Sequence, residues 1–249
     1  MLSKSQISFI KSLHQKKFRK EHGLFIVEGL KSVTEFIRSA YNVHSVFFTE
    51  PAGSKMLNLS KKINSQLISD NELHKISALT NPQQVLALVH IPPVQAVQSQ
   101  HFSNKLSLML DGVQDPGNLG TIIRTANWFG FDELLCSTDT VDCYNPKVVQ
   151  ATMGSLSRIN VHYLDLTTLL KTTHLPVYGA LLEGENIYNT NFSDAGFVIL
   201  GNEGNGISAE TARYITHPFT IPGIGKAESL NVSVSAGIIC SELKRKYLK

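Results

Sequence analysis

Apolar residues follow two rhythms along this chain: short unbroken runs, and stripes spaced three or four residues apart. The first rhythm marks buried strands and the second marks helices with one covered face. Ile7, Ile10 and Leu13 make the first stripe, behind Ser3 as a helix cap. Runs at 23–27, 43–49, 66–69 and 85–91 read as strands. Residues 28–40, 54–62 and 70–76 read as the helices between them, the last capped by Asp70. A second series begins with strand 106–110, followed by a helix from Leu119 that Asn118 is placed to cap and that carries the stripe Leu119, Ile122, Ile123 and Ala126. Strands at 133–136, 160–164, 177–181 and 196–200 follow, with helices at 146–153 and 167–173. Pro146 suits a first helical position. Leu230, Val234, Ile238 and Leu243 form the last stripe, and Lys244-Arg245-Lys246 suits a helix C-terminus. Strands alternating with helices in both halves give an α/β fold class.

The two series are separated by IPPVQAVQSQHFSNK, which has paired prolines, several Gln and Ser, and no hydrophobic period. It reads as a linker and divides the chain into 1–92, a linker at 93–105, and 106–249.

Composition narrows the function classes. No apolar run approaches the roughly 18 residues of a membrane span. The N-terminus lacks the apolar core of a signal peptide, so a cytoplasmic protein is expected. Cys136, Cys143 and Cys240 form no CxxC pair, which argues against a disulfide scaffold or a metal site. Charge is uneven. Residues 1–92 hold 12 Lys and Arg against 6 Asp and Glu, whereas the remainder is net acidic. The basic run HQKKFRKEH puts Lys16, Lys17, Arg19 and Lys20 beside one aromatic, the footprint of a polyanion-binding surface such as an RNA contact.

The candidate chemistry lies in the last fifty residues. GNEGNGIS follows the apolar run at 196–200, and IPGIGKAESLNVSVSAGI leads into the last helix. Each is a glycine-bearing turn running into a helix, and such turns let backbone groups approach a small ligand closely. GNEGNG lacks the GxGxxG spacing of a dinucleotide fingerprint, which weakens an oxidoreductase reading.

NLGTIIRTA, LGNEGNGIS and IPGIGKAESLNVSVSAGI resemble, in order and spacing, the three signature motifs of the SpoU, or TrmH-type, RNA ribose methyltransferases of the SPOUT superfamily. YNPKVVQATMGS extends the resemblance, which covers 106–247; HQKKFRKEHGLFIVEGLKSV resembles the substrate-binding domain that precedes it in many members, similar in fold to kink-turn-binding ribosomal proteins. Gly223 departs from the family, which more often has methionine after Ile-Pro. The resemblance implies transfer of a methyl group from S-adenosylmethionine to a ribose 2′-hydroxyl, in ribosomal RNA ahead of transfer RNA. It also implies a deep trefoil knot and a homodimer formed through the catalytic domain. A non-catalytic RNA-binding protein is the alternative.

By the same resemblance Arg124 is the catalytic arginine, engaging the ribose and adjoining phosphate. Asn118, Glu203, Ser229 and Asn231 complete the catalytic set. Glu203 is expected to orient Arg124 or a helix-terminal amide, and Asn118 to serve as a cap, a site residue or both. The cofactor would be held by Gly201, Asn202, Ile221, Gly223 and Leu230, largely through backbone groups. No metal is expected.

Overall fold

The computed structural model describes residues 1–59, 63–94 and 99–247, which divide into two units. The first comprises Met1–Pro93 with Asp142–Arg158, and the second comprises Val94–Val141 with Ile159–Lys249.

In the first unit, α1 (Lys4–Ser12) is opened by a reciprocal box: Ser3 accepts from the Gln6 amide, and the Gln6 side chain accepts from the Ser3 amide. The basic run, left unassigned by periodicity, forms α2 (Lys16–His22), which Gly23 ends at φ 62°. After it come β1 (Leu24–Glu28), α3 (Leu30–Ile37), β2 (Val43–Phe48), α4 (Gly53–Leu59), β3 (Asn64–Leu67), α5 (Asp70–Ile76) and β4 (Val85–His90). The sheet order is β1-β4-β2-β3, with β4 antiparallel to both neighbours and β3 parallel to β2. Ile10, Leu13, Ile26, Phe47, Leu86 and Leu88 pack together between α1 and the sheet.

Two expectations are corrected here. Helix α3 starts after residue 28 because Glu28 completes β1 and Gly29 stands at φ 91°. Ser69, not Asp70, caps α5: its hydroxyl accepts from the Glu72 amide while the Glu72 carboxylate accepts from the Ser69 amide. That reciprocity satisfies two otherwise open amides, which Asp70 inside the first turn cannot do. The C-terminal part of the helix expected at 54–62 and the middle of the expected linker (95–98) lie outside the described residues.

The second unit is built on a wholly parallel six-stranded sheet. Its elements are β5 (Leu106–Leu110), α6 (Pro116–Trp128), β6 (Glu133–Cys136), β7 (Asn160–Tyr163), α8 (Leu166–Thr172), β8 (Val177–Asn186), β9 (Gly196–Leu200), α9 (Ala209–Ala212), β10 (His217–Thr220) and α10 (Val232–Lys244). Helix α7 (Pro146–Ala151), which falls between β6 and β7 in sequence, belongs to the first unit. The sheet order is β10-β8-β9-β5-β6-β7. β9 is an unbroken apolar run buried throughout, as a parallel sheet requires, and β6 is buried as well although it opens with Glu133.

The α6 stripe is buried as expected, and α6 packs against α10. The phase of α10 differs. Its buried residues are Val232, Ala236, Ile239, Cys240 and Leu243, whereas Leu230 and Val234 are half exposed. Asn231 caps this helix, so the covered face is counted from Val232 and is made partly of small residues. Strand β8 runs five residues beyond the expected 181 and pairs with β10, whose single buried side chain, Phe219, gave too weak a period to read. No helix among the described residues is long and apolar enough to cross a membrane.

Candidate functional site

Three loops leave the C-terminal ends of β5, β9 and β10, the edge where open parallel sheets place ligands. β5 and β9 are neighbours in register, Leu110 opposite Leu200, so their loops start side by side. After β5, Asp111 is buried and its Oδ2 accepts from the Ser208 amide at 2.8 Å, tying the first loop to the second. Gly112, at φ 74°, donates to Ser137 Oγ at 2.8 Å. Asp115 then caps α6 by accepting from the Asn118 amide, with Pro116 in the first turn. Asn118 is therefore the third residue of the helix and not its cap; its side chain is released for other work.

The second loop closes on itself. Asn202 and Gly206 exchange two backbone hydrogen bonds at 2.8 and 3.0 Å. Asn202 Oδ1 accepts from the Gly204 and Asn205 amides, while Nδ2 donates to the Gly112 carbonyl at 2.6 Å. The Asn202 side chain is thus consumed by the loop's own architecture. Gly201 is also needed internally: a β-carbon there would stand 2.1 Å from the Gly206 carbonyl carbon and 2.2 Å from the Ile207 nitrogen. The loop's own backbone at Gly206 and Ile207 therefore requires a glycine at 201.

Side chains from all three loops meet in a chain of hydrogen bonds. Glu203 Oε1 accepts from Asn118 Nδ2 at 3.0 Å and from the Asp115 amide at 3.2 Å, and Oε2 accepts from the Gln114 amide at 3.3 Å. Asn118 Oδ1 accepts in turn from Asn231 Nδ2 at 3.0 Å. Asn231 Oδ1 accepts from the Ser233 and Val234 amides at the start of α10. Partial burial alone would raise the Glu203 carboxyl, but the bonds from Asn118 and the backbone amides outweigh it and hold Glu203 below the ordinary carboxylate value. A carboxylate accepting from Gln114 and Asp115 also sits where the α6 N-terminus favours negative charge.

Beyond β10 the chain changes character. From Ile221 through Leu230 no backbone group forms a hydrogen bond among the described residues. Pro222 through Leu230 are all exposed, Ile224 fully, and a β-carbon at Gly223 or Gly225 would meet nothing within 4 Å. Open amides and carbonyls beside uncovered Ile224 and Leu230 fit a ligand that combines polar edges with an apolar body.

Residues 105–241 match the family model described as SpoU rRNA Methylase family, and 4–87 match that of an MRM3-like substrate binding domain. This chain belongs to the SpoU family. It is 32% identical over 238 residues to the 23S rRNA (guanosine(2553)-2′-O)-methyltransferase RlmP of Bacillus subtilis, covering 94% of each chain. A TrmH-family RNA methyltransferase structure from Porphyromonas gingivalis superposes with TM-score 0.87 at 36% identity, over 99% of both chains. An rRNA methyltransferase from Sinorhizobium meliloti, solved with AdoMet bound, superposes with TM-score 0.88 at 26% identity over 100% of this chain and 98% of that one.

Of the SpoU motif residues, the structure joins Asn118, Glu203 and Asn231 by hydrogen bonds that include neither Arg124 nor Ser229. Arg124 lies on the exposed side of α6 with no hydrogen-bond or ion-pair partner among the described residues, so Glu203 orients helix-terminal amides and not Arg124. Ser229 is exposed and makes no hydrogen bond among the described residues. Ile221 is half-buried at the mouth of the open segment.

The basic run divides. Lys16, Lys17 and Lys20 are exposed on α2, but Arg19 is 2% exposed. Its guanidinium pairs with Asp142 Oδ2 at 2.6 Å and donates to the carbonyls of Leu13 at 3.0 Å and His14 at 2.9 Å. Arg19 is removed from the RNA-facing set, since its donors are spent inside the first unit. Two residues that do position the site escaped the sequence reading. Asp111 left no signal, but Asp115 did: an acidic residue immediately before a proline is a helix-start signature.

Proposed function

We propose that this chain methylates a ribose 2′-hydroxyl of ribosomal RNA using S-adenosylmethionine. The observation that carries the reading is the hydrogen-bond chain Glu203–Asn118–Asn231, which unites the three SpoU motifs at the C-terminal edge of the sheet. The relatives named for 23S rRNA 2′-O-methylation and for bound AdoMet set the substrate and cofactor class. When bound, the cofactor supplies an electrophilic methyl on sulfonium. The open segment Ile221, Gly223 and Leu230 receives it through free backbone groups and apolar contact, while Gly201 and Asn202 act by keeping the neighbouring loop in shape.

Arg124 meets the ribose-phosphate at the target nucleotide. A guanidinium stays charged at any working pH, so its role is electrostatic: it stabilises the oxyanion developing on the 2′-oxygen and fixes the attack direction. Glu203, Asn118 and Asn231 hold the loops in register, and the 2′-hydroxyl proton leaves to solvent water. Ser229 hydrogen-bonds the RNA or the neighbouring loops. The first unit acts as the substrate-binding domain, resembling kink-turn-binding proteins, with Lys16, Lys17 and Lys20 on phosphates. The C-terminal segment threads a trefoil knot, two copies pair through the catalytic domain, and the enzyme works in the cytoplasm where its substrate is assembled.

Single-turnover transfer of labelled methyl to ribosomal RNA tests the reading, run beside calorimetry with S-adenosylhomocysteine. Arg124→Ala is expected to keep cofactor binding and to lower transfer by about 100-fold or more, the scale of a lost oxyanion-stabilising group. Arg124→Lys should restore little, because an ammonium lacks the planar fork. Near-native transfer by the alanine variant removes Arg124 from the mechanism.

A further inference from the structure

The first unit contains a cavity that the methyl-transfer reading does not use. Helices α1 and α5 share the apolar cluster on this sheet, and a recess of about 120 Å³ opens beside α1 and the edge strand β3. Its floor is apolar, made by Ile10, Phe47 and Leu88. Its rim carries three carboxamides, Gln6, Asn64 and Gln66, and the exposed His44. No Asp, Glu, Lys or Arg among the described residues lines it.

Several rim atoms are uncommitted. Gln6 spends only its oxygen, on the Ser3 amide, and Gln66 spends only its nitrogen, on the Met1 carbonyl at 3.4 Å. His44 uses Nδ1 on Ser45 Oγ, leaving Nε2, and the Asn64 side chain has no partner among the described residues. The recess therefore offers a neutral mixture of donors and acceptors around an apolar floor. That chemistry suits a flat ring with polar edges.

Phe9 links this recess to the basic surface. It lines the cavity, and its ring centroid stands 5.0 Å from His22, which lies 6.3 Å from Phe18 with the planes 9° apart. Phe18 and His22 sit on α2 among the exposed Lys16, Lys17 and Lys20. Aromatic faces interleaved with ammonium groups, ending in a neutral base-sized recess, form the pattern of a single-stranded nucleic-acid track.

We propose that the recess between α1 and β3 captures one unpaired base of the substrate RNA, with the adjoining nucleotides passing over His22 and Phe18 and their phosphates meeting the α2 lysines. The proposal rests on the chain being an RNA enzyme and adds a base-reading site remote in sequence from the motif residues. Unpaired bases are the elements of RNA that proteins read by edge and by stacking, whereas duplex regions are read by shape.

The test uses the full chain and two fluorescent 12-nucleotide single strands, one of mixed bases and one abasic throughout, so that phosphate number is constant. Native protein should bind the base-bearing strand about 10-fold or more tighter, the scale of one stacked base. Asn64→Leu/Gln66→Leu, confined to the edge strand, should erase most of that preference and leave the salt dependence unchanged. His44→Ala, a surface change that spares the core, should erase part of it. Lysine-to-alanine changes at 16, 17 and 20 should instead flatten the salt dependence on both strands. A 4-thiouridine strand should crosslink to peptides containing Phe9 or His44. Equal affinity for the two strands, or native preference in both recess variants, overturns the proposal. If that happens while the lysine variants still lose affinity and ribosomal RNA is still methylated, the enzyme reading stands without the recess.

Discussion

Asn118→Asp replaces one amide by a carboxylate of the same shape at the centre of the hydrogen-bond chain. Native Asn118 donates to Glu203 Oε1 at 3.0 Å and accepts from Asn231 Nδ2 at 3.0 Å. Aspartate keeps the second bond and turns the first into a meeting of two anions. Losing a hydrogen bond to a charged acceptor costs about 1.5–3 kcal/mol. Two unit charges about 4 Å apart repel by roughly 1 kcal/mol in bulk water and about 4 kcal/mol near a protein surface. Glu203 is exposed, so screening keeps the repulsion near the lower figure, and the joined loops lose roughly 2.5–4 kcal/mol at neutral pH.

The pH dependence separates this from a simple deletion. Native Glu203 has a carboxyl held below its ordinary value of 4.5, so its contribution is complete above that value and is lost as pH falls through the lower folded value. In the variant the paired carboxyls share a proton at a raised value, so the deficit relative to native shrinks on mild acidification. Urea unfolding from about pH 8 to about pH 5 and calorimetry with S-adenosylhomocysteine at the same points measure both effects. Asn118→Ala should show a deficit independent of pH over that range. An Asp-variant deficit that grows toward acid, or one indistinguishable from alanine, would refute the role given to this bond.

Arg19→Ala should destabilise the protein by about 3–5 kcal/mol in urea unfolding, because it strands the nearly buried Asp142 and two carbonyls. Alanine at Lys16, Lys17 and Lys20 should leave stability within about 0.5 kcal/mol and change only the salt dependence of RNA binding. Gly201→Ala should cost about 1–3 kcal/mol or more and abolish the S-adenosylhomocysteine heat, since its methyl collides with backbone at Gly206 and Ile207; an undisturbed melting temperature contradicts this. Burial alone would raise Glu133, but hydrogen bonds from His101 and Lys105 hold it below 4.5, while burial lowers His162 from 6.5. Both groups bind protons more readily when unfolded, so stability falls as pH drops below about 6.5 and falls further below about 4.5. Glu133→Gln/His162→Gln should flatten that acid limb in a pH series of thermal melts.

Solid apolar runs were readable because they need no partner to identify them; β5 and the α6 stripe came directly from spacing. Helix α10 was misphased because Ala236 and Cys240, small and easily overlooked, are covered while the larger Leu230 and Val234 stay open. Burial there follows the cap at Asn231, not residue size. Arg19 looked like its lysine neighbours because its partner lies 123 positions away, beyond any local pattern. The same distance effect hid the site's organisation. Motifs named Asn118, Glu203 and Asn231, but only the folded chain shows an amide of one loop joining a carboxylate and an amide of the other two.

The division of the chain has a consequence for how its parts can be exchanged. Because Asp142–Arg158 groups with Met1–Pro93, the polypeptide crosses the boundary between units three times, at 93/94, 141/142 and 158/159. A fragment cut after Pro93 would carry Arg19 without Asp142 and would bare Phe25, whose ring packs 4.6 Å from Tyr144. It would also lose α7, which packs on β1. The transplantable module is therefore discontinuous. Any chimera that borrows the first 93 residues inherits an orphaned cation and an uncovered aromatic unless the insert 142–158 travels with them, so recombination at the obvious junction is disfavoured by the chain's own stitching.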